Sequence, residues 1–406
     1  MRSTRLRGDA VARVIRVNAG FNFCFGLLWW LPVFYAYQRD AGLADSEIFG
    51  IQSIYYVAFC LLEIPTGMLA DRFDYRRFLG AGAAVLLVAN LVPVAWPTYA
   101  GFLAHFLLIA LARSLVSGAC SAYLYEYLDR SGARERYRDA EGKARSASLV
   151  GRVVCWPFVG LLMQVEHTLP YWLSAASAAG ACWLALRLPA LPDPVDGALG
   201  GPRAARPVWS ALPQAFAALR RGRVLLLIMV QGVAVFTLVR VFQVNLAQPI
   251  LAEKAVPLGV YGAIFAGMTL LESLGAARTG WLRGRLSDRT AVFLLTVAMA
   301  ACLALAVPAE MVGTVAILGV FSLVSGLSYP IQRTLVNDAI TDSRHRATML
   351  SAESIIDRAV CALVVLALGG YLDAGALGAF LVHTAIATAV LMAVVAVALR
   401  HVRGTR

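Results

Sequence analysis

Twelve apolar stretches, each about long enough to cross a bilayer, divide this chain of 406 residues, and its basic residues crowd into every second gap between them. A spanning helix needs about 20 apolar residues. The stretches run 14–37, 47–69, 78–96, 100–127, 147–164, 170–187, 224–246, 258–280, 291–308, 312–332, 350–371 and 377–399. Of 36 Lys and Arg residues, only Arg39 and Lys254 fall in the sparse set of gaps. Arg16, Arg187 and Arg278 lie within about three residues of a stretch end on the crowded side, and only Arg113, Arg152, Arg240 and Arg358 lie further inside. Basic loops resist translocation, so the crowded side is expected to be cytoplasmic, with both termini on it. Apolar residues make up 60% of the chain and charged residues 15%, against about 45–50% and about 25% in soluble domains. The expected fold class is therefore an all-α membrane protein with twelve transmembrane helices.

A formal charge of +12 raises the question of nucleic acid. The excess follows from the inside-positive bias and from affinity for anionic headgroups, and no basic run is interleaved with aromatics as a single-strand binder requires. Membrane lipid, not nucleic acid, is the expected partner. All seven cysteines lie in apolar stretches without a C-x-x-C pair. They read as small buried apolar residues, so no disulfide, metal site or cofactor is expected. Arg2, Arg5 and Arg7 precede a long apolar run holding Asn18 and Asn22, which reads as a first span rather than a cleaved leader.

Residues 188–223 hold Pro189, Pro192, Pro194, Gly197, Gly200, Gly201, Pro202 and Pro207, then Arg220, Arg221 and Arg223. That density of Pro and Gly opposes a packed element. The segment is expected to be a cytoplasmic linker with a short amphipathic helix, joining two pseudo-symmetric six-helix bundles over 1–187 and 224–406. Faint echoes support a duplication: Leu61-Leu62-Glu63 against Leu270-Leu271-Glu272, and Gly67 to Arg72 against Gly280 to Arg285. Repeated halves with a midplane site are a common transporter plan.

The loop after the second stretch reads Gly67-Met68-Leu69-Ala70-Asp71-Arg72-Phe73-Asp74-Tyr75-Arg76-Arg77. It resembles the loop signature G-x-L-A-D-R-x-G-R-[KR]-[KR] of the major facilitator superfamily, in position as well as sequence. Ser117-Gly118-Ala119 with Tyr123 to Glu126, and Arg344 to Thr348, resemble bacterial members. The resemblance implies the major facilitator fold in a cytoplasmic (inner) membrane, and a cytoplasmic gate at Gly67, Asp71, Arg72 and Arg76. The alternative for these residues is a turn tied down by local charge. Asp74 and Tyr75 depart from the family's Gly and basic residue. Gly151 to Gly160 keeps only Pro157 and Gly160 of the span-five antiporter signature, and a kink is expected at Pro157.

Ionisable residues inside a bilayer cost roughly 2.5–3.5 kcal/mol each on insertion scales, so they need a partner or a role. Arg113 lies mid-span with Ser117 and Ser121 on its face. It resembles the span-four arginine of family antiporters and would face a carboxylate or an anionic substrate, or else a structural partner. Glu272 suits proton work, and Glu63 either proton work or the cytoplasmic gate. Arg240, with Thr237 and Gln243 on its face, would contact substrate or stabilise the outer end. Glu353, Asp357 and Arg358 open the eleventh stretch, where acids in a first helical turn favour the dipole.

Polar residues recur at helical spacing in the spans that line the cavity in the family. They are Asn18, Asn22 and Trp29, then Ser117, Gln243, and Ser325 with Tyr329. A substrate cavity is the expected reading, interhelical hydrogen bonding the alternative. No phosphate-binding G-x-x-x-x-G-K-[ST] loop occurs, five histidines are scattered, and H-E-x-x-H and G-x-S-x-G are absent. These patterns point away from an enzyme. The expected function is secondary transport of a small organic molecule by alternating access, with protons as coupling partner and export as the direction. Such an exporter of a drug, siderophore or metabolite would be an antiporter and a monomer. Proton-coupled uptake and, more distantly, a non-transporting sensor are the alternatives.

Overall fold

The computed structural model describes residues 2–70, 74–191, 222–340 and 346–404. The expected gate residues Asp71 and Arg72, residues 192–221 of the expected linker with its amphipathic helix, and Arg344 and His345 lie outside them. The described chain is helical, with no strand among the described residues. Its helices are α1 (Arg2–Gly26), α2 (Phe34–Asp40), α3 (Asp45–Ala70), α4 (Tyr75–Ala95), α5 (Tyr99–Arg130), α6 (Tyr137–Cys155), α7 (Val159–Val165) and α8 (Leu169–Leu186). They continue with α9 (Arg223–Val241), α10 (Ala247–Glu253), α11 (Tyr261–Ala277), α12 (Thr279–Arg283), α13 (Asp288–Ala306), α14 (Met311–Ala339), α15 (Arg346–Asp373) and α16 (Leu377–Gly404).

Ten helical stretches among the described residues are long and apolar enough to cross a membrane. With α1 at 25 residues and α3 at 26, the set is compatible with twelve spans. By its contacts the chain forms two units: 1–41 with 58–205, and 42–57 with 206–406.

In the first unit α4 packs on α5 and α8, and α1 on α6 and α8. Its core brings Phe21 of α1 against Tyr123, Leu124 and Leu128 of α5 and Ala181 and Ala185 of α8. Along α6 and α7 an outward stripe of Val150, Val154, Phe158, Leu161 and Val165 is exposed, as lipid-facing side chains must be.

The first span is not the single helix expected over 14–37. Pro32 has no N–H and its ring opposes the carbonyl four residues back, so the chain turns through Leu27–Val33 before α2. The backbone groups this break releases are taken by side chains. Trp156 Nε1 donates to the Leu28 carbonyl at 3.0 Å, and the Trp29 N–H donates to Ser174 Oγ at 2.9 Å. Trp30, 1% exposed, stacks on Tyr171, meets His105 and Phe106 edge-on, and donates to Asn90 Oδ1 at 2.7 Å.

The fifth stretch is also longer than expected: its helix starts at Tyr137, and at Pro157 it tightens into a 3₁₀ turn over Trp156–Phe158. Asp74, the residue that departs from the family loop, adopts extended backbone. It caps α4, its side chain accepting from the Arg76 amide at 3.1 Å.

In the second unit α11 and α13 pack on α14, α9 on α14 and α15, and α13 on α16. The α11–α14 contact is close because it is made by glycines. A Cβ on Gly326 would strike the Glu272 carbonyl, and one on Gly275 the Leu323 carbonyl, the small-residue approach common between helices in lipid. Ser46 of α3 donates its N–H to Asp373 Oδ1 at 3.2 Å. The seventh span widens into a π turn at Phe242–Leu246. Pro249 cannot donate to the Asn245 carbonyl, which removes one α-helical bond there.

Candidate functional site

In the first unit the polar face of α1 turns towards α5. Asn18 is 1% exposed. Asn22 Nδ2 donates to the Asn18 carbonyl at 2.9 Å and to Cys120 Sγ at 3.3 Å, while Cys120 reaches Asn18 Oδ1 at 3.5 Å. Trp29 Nε1 donates to Ser177 Oγ at 3.0 Å. On α5, Arg113 and Ser117 are both exposed, one turn apart. Ser117 Oγ also returns to the Ser114 carbonyl at 3.4 Å.

At the start of α4 and the end of α5, Tyr75 and Arg130 both donate to the Glu126 carboxylate, at 3.1 and 3.0 Å. Glu63 is half-buried on α3 and Gly67 lies in the last turn of that helix. Arg76, like Gly67 an expected gate residue within the described chain, pairs with Asp74 through its Nε at 3.0 Å. That bond, working against partial burial, holds the Asp74 carboxyl below its usual range.

The second unit brings together charges that the sequence showed only as scattered. Asp357 of α15 is 2% exposed. Its Oδ2 accepts from Arg240 Nε at 3.2 Å and Nη2 at 2.9 Å, and its Oδ1 from Thr237 at 3.0 Å. Cys361, one turn on, lies 3.7 Å from Oδ1. Gln243, which shares the Arg240 face in sequence, sits on the π turn and donates instead to Glu272 Oε2 at 2.8 Å. Also on that turn, buried Asn245 accepts from Tyr56 at 3.0 Å.

On α14 the Ser322 and Ser325 hydroxyls bond back to their own helix, at 3.0 and 2.8 Å. Tyr329 is 40% exposed beside Phe236, and Arg358 is half-buried. Gln332 accepts from Gln231 at 3.1 Å and donates to the Ile228 carbonyl at 2.9 Å.

One expectation is corrected here. Glu353 and Asp357 are not first-turn acids: α15 is already helical at Arg346, two turns before Glu353. The helix dipole therefore does not account for them, and partners on other helices must. Sequence reading also passed over Tyr56 and Asn245. Asn245 had a signal in Pro249 four residues later, and Tyr56 in its one-turn spacing from Gln52 inside an apolar span.

Apolar helices with an outward apolar face define a class, the polytopic membrane proteins, and the ion pairs closed inside them are what charges in such helices require. The sequence profile described as Major Facilitator Superfamily matches residues 19–362, and the chain belongs to that family. It is a transporter with the all-α fold of the family. Among solved structures it is similar to the nucleoside transporter NupG, with TM-score 0.78 and 14% identity over 96% of this chain and 98% of that one. It is similar also to a POT family transporter in complex with a thioalcohol-conjugated peptide, with TM-score 0.72 and 12% identity over 97% and 96%. A POT family structure in complex with 5-aminolevulinic acid gives 0.70 at 12% identity over 97% and 96%. At these identities the likeness is one of fold. No curated protein matches the chain in sequence.

Proposed function

We propose that this transporter is a proton-coupled secondary carrier. In this reading it exports a small organic molecule from the cytoplasm by alternating access, working as a monomer in the inner membrane with both termini inside. The observation that carries the reading is the exposed pair Arg113 and Ser117 on α5. A guanidinium in the middle of a span is stable where it faces water or an anionic group, and it offers a substrate a charge and a hydroxyl on one helical face. Glu272, reached by the neutral Gln243 amide, provides a carboxylate able to carry a proton. Asn18, Asn22, Trp29, Ser325 and Tyr329 complete the substrate-facing set in this proposal, and Gly67, Asp71, Arg72 and Arg76 its cytoplasmic gate. The span-four arginine of family antiporters, which Arg113 resembles, favours export over uptake.

The test uses inverted membrane vesicles energised acid-inside and supplied with a radiolabelled nucleoside, a labelled dipeptide or 5-aminolevulinic acid. Export coupled to protons gives accumulation that an uncoupler abolishes and Arg113→Ala removes. Accumulation in right-side-out, acid-outside vesicles instead would establish uptake. Flux indifferent to the uncoupler would remove proton coupling.

A further inference from the structure

Glu353 on α15 is 1% exposed. Arg333 of α14 donates to its Oε2 at 3.1 Å, but Oε1 is buried with no hydrogen-bond partner among the described residues. This oxygen lies against α9 at the point where residue 232 is glycine. A Cβ there would stand 2.6 Å from Oε1 and 2.9 Å from Gln332 Nε2, so the space exists because the side chain is missing. Gln332, the polar neighbour in that space, spends one Nε2 hydrogen on the Ile228 carbonyl and its Oε1 on Gln231, and its second Nε2 hydrogen makes no bond to Glu353 Oε1.

The ionisable groups facing Glu353 are Arg333 from α14 and Asp357 one turn along α15. Asp357 is itself held by Arg240 of α9. The contrast between the two acids is instructive. Asp357 has donors on both oxygens, as a buried carboxylate requires, whereas Glu353 has them on one. Its counter-charge, Arg333, is 42% exposed and lies just past the end of the apolar stretch 312–332.

We propose that Glu353 is a proton-binding site of the transport cycle, with Arg333 as the counter-charge that it exchanges for a proton. The inference rests on the proton-coupled reading above and adds a second group to Glu272. The step moves one proton and nothing else. Oε1 gains H⁺ and the carboxylate loses its charge, while Arg333 is released towards water. Loss of the proton restores the ion pair. Gly232 supplies the room in which the protonated oxygen sits.

The experiment is infrared difference spectroscopy of the purified full chain in lipid nanodiscs between acid and alkaline pH, which needs no transported ligand. The expected wild-type spectrum contains a carboxylic-acid C=O band that disappears in Glu353→Gln, persists in Glu272→Gln and shifts without disappearing in Glu353→Asp. A band unchanged in Glu353→Gln, or no such band in the wild type, overturns the proposal. The thermal melt of Glu353→Gln, matched to wild type, separates loss of the group from loss of fold. The vesicle assay reads the coupling separately. Uncoupler-indifferent flux with the Glu353 band present defeats the coupled reading and leaves the proton site standing. Uncoupler-sensitive flux without the band defeats only this site.

Discussion

Removing Arg240 is expected to destabilise the protein far more than removing its partner Asp357, although the two share one ion pair. The Asp357 side chain is 3% exposed and that of Arg240 is 35% exposed. In Arg240→Met the carboxyl keeps the Thr237 hydroxyl and the weak Cys361 contact but stays buried without its charge partner. Stranding a buried ion costs about 3–5 kcal/mol. In Asp357→Asn the amide still accepts from Thr237, and the guanidinium left behind is about one third exposed rather than enclosed. The loss is then near that of a hydrogen bond to a charged group, about 1.5–3 kcal/mol. The double variant Arg240→Met/Asp357→Leu removes both charges and should recover to within about 2 kcal/mol of wild type, since apolar replacement of a buried pair is often neutral.

A thiol-reactive fluorophore suits the measurement, because all seven cysteines are buried or half-buried and react as the helices open. Equal losses in the two single variants, or losses that add in the double variant, would refute the argument that burial of the acid, not the ion pair itself, sets the cost.

The same assay checks three further variants. Trp30→Phe keeps the ring cluster but leaves the Asn90 Oδ1 acceptor buried and unpaired, at a cost of about 1–3 kcal/mol; a melt equal to wild type would deny that bond a structural role. Gly326→Val pushes a side chain into the Glu272 backbone and should cost about 1–3 kcal/mol. Gly267→Ala, on the same helix as Glu272 but with nothing within 4 Å of its added carbon, should gain up to about 1 kcal/mol. At the loop, the Asp74 carboxyl is held below its ordinary value chiefly by Arg76. Its contribution is therefore present above about pH 4, the unfolded value, and is lost as pH falls through the lower folded one. Hydrogen exchange at the Arg76 amide, corrected for intrinsic rate, should quicken in acid for wild type and be pH-independent in Asp74→Asn.

The class and family of this protein were legible in the chain because lipid imposes them residue by residue. A span must be apolar for about 20 residues, basic loops must stay on one side, and the Gly67–Arg77 loop carries its own signature. The unusual Asp74 was visible as a departure, and its use as a helix cap followed only from the backbone around it.

Which charge meets which was not legible. Periodicity put Arg240, Thr237 and Gln243 on one face, yet the π turn at Phe242–Leu246 sends Gln243 to Glu272 while Arg240 and Thr237 go to Asp357. The break after Gly26 had its cause in Pro32, but not the indole and hydroxyl groups on α8 and beside Pro157 that make it tolerable. The unmatched oxygen of Glu353 exists because residue 232, on a helix more than a hundred positions away in the chain, has no side chain. Local chemistry and the bilayer determine the spans. Pairings inside them depend on helix rotation, register and small local irregularities, which no single stretch of sequence encodes and only the packed helices decide.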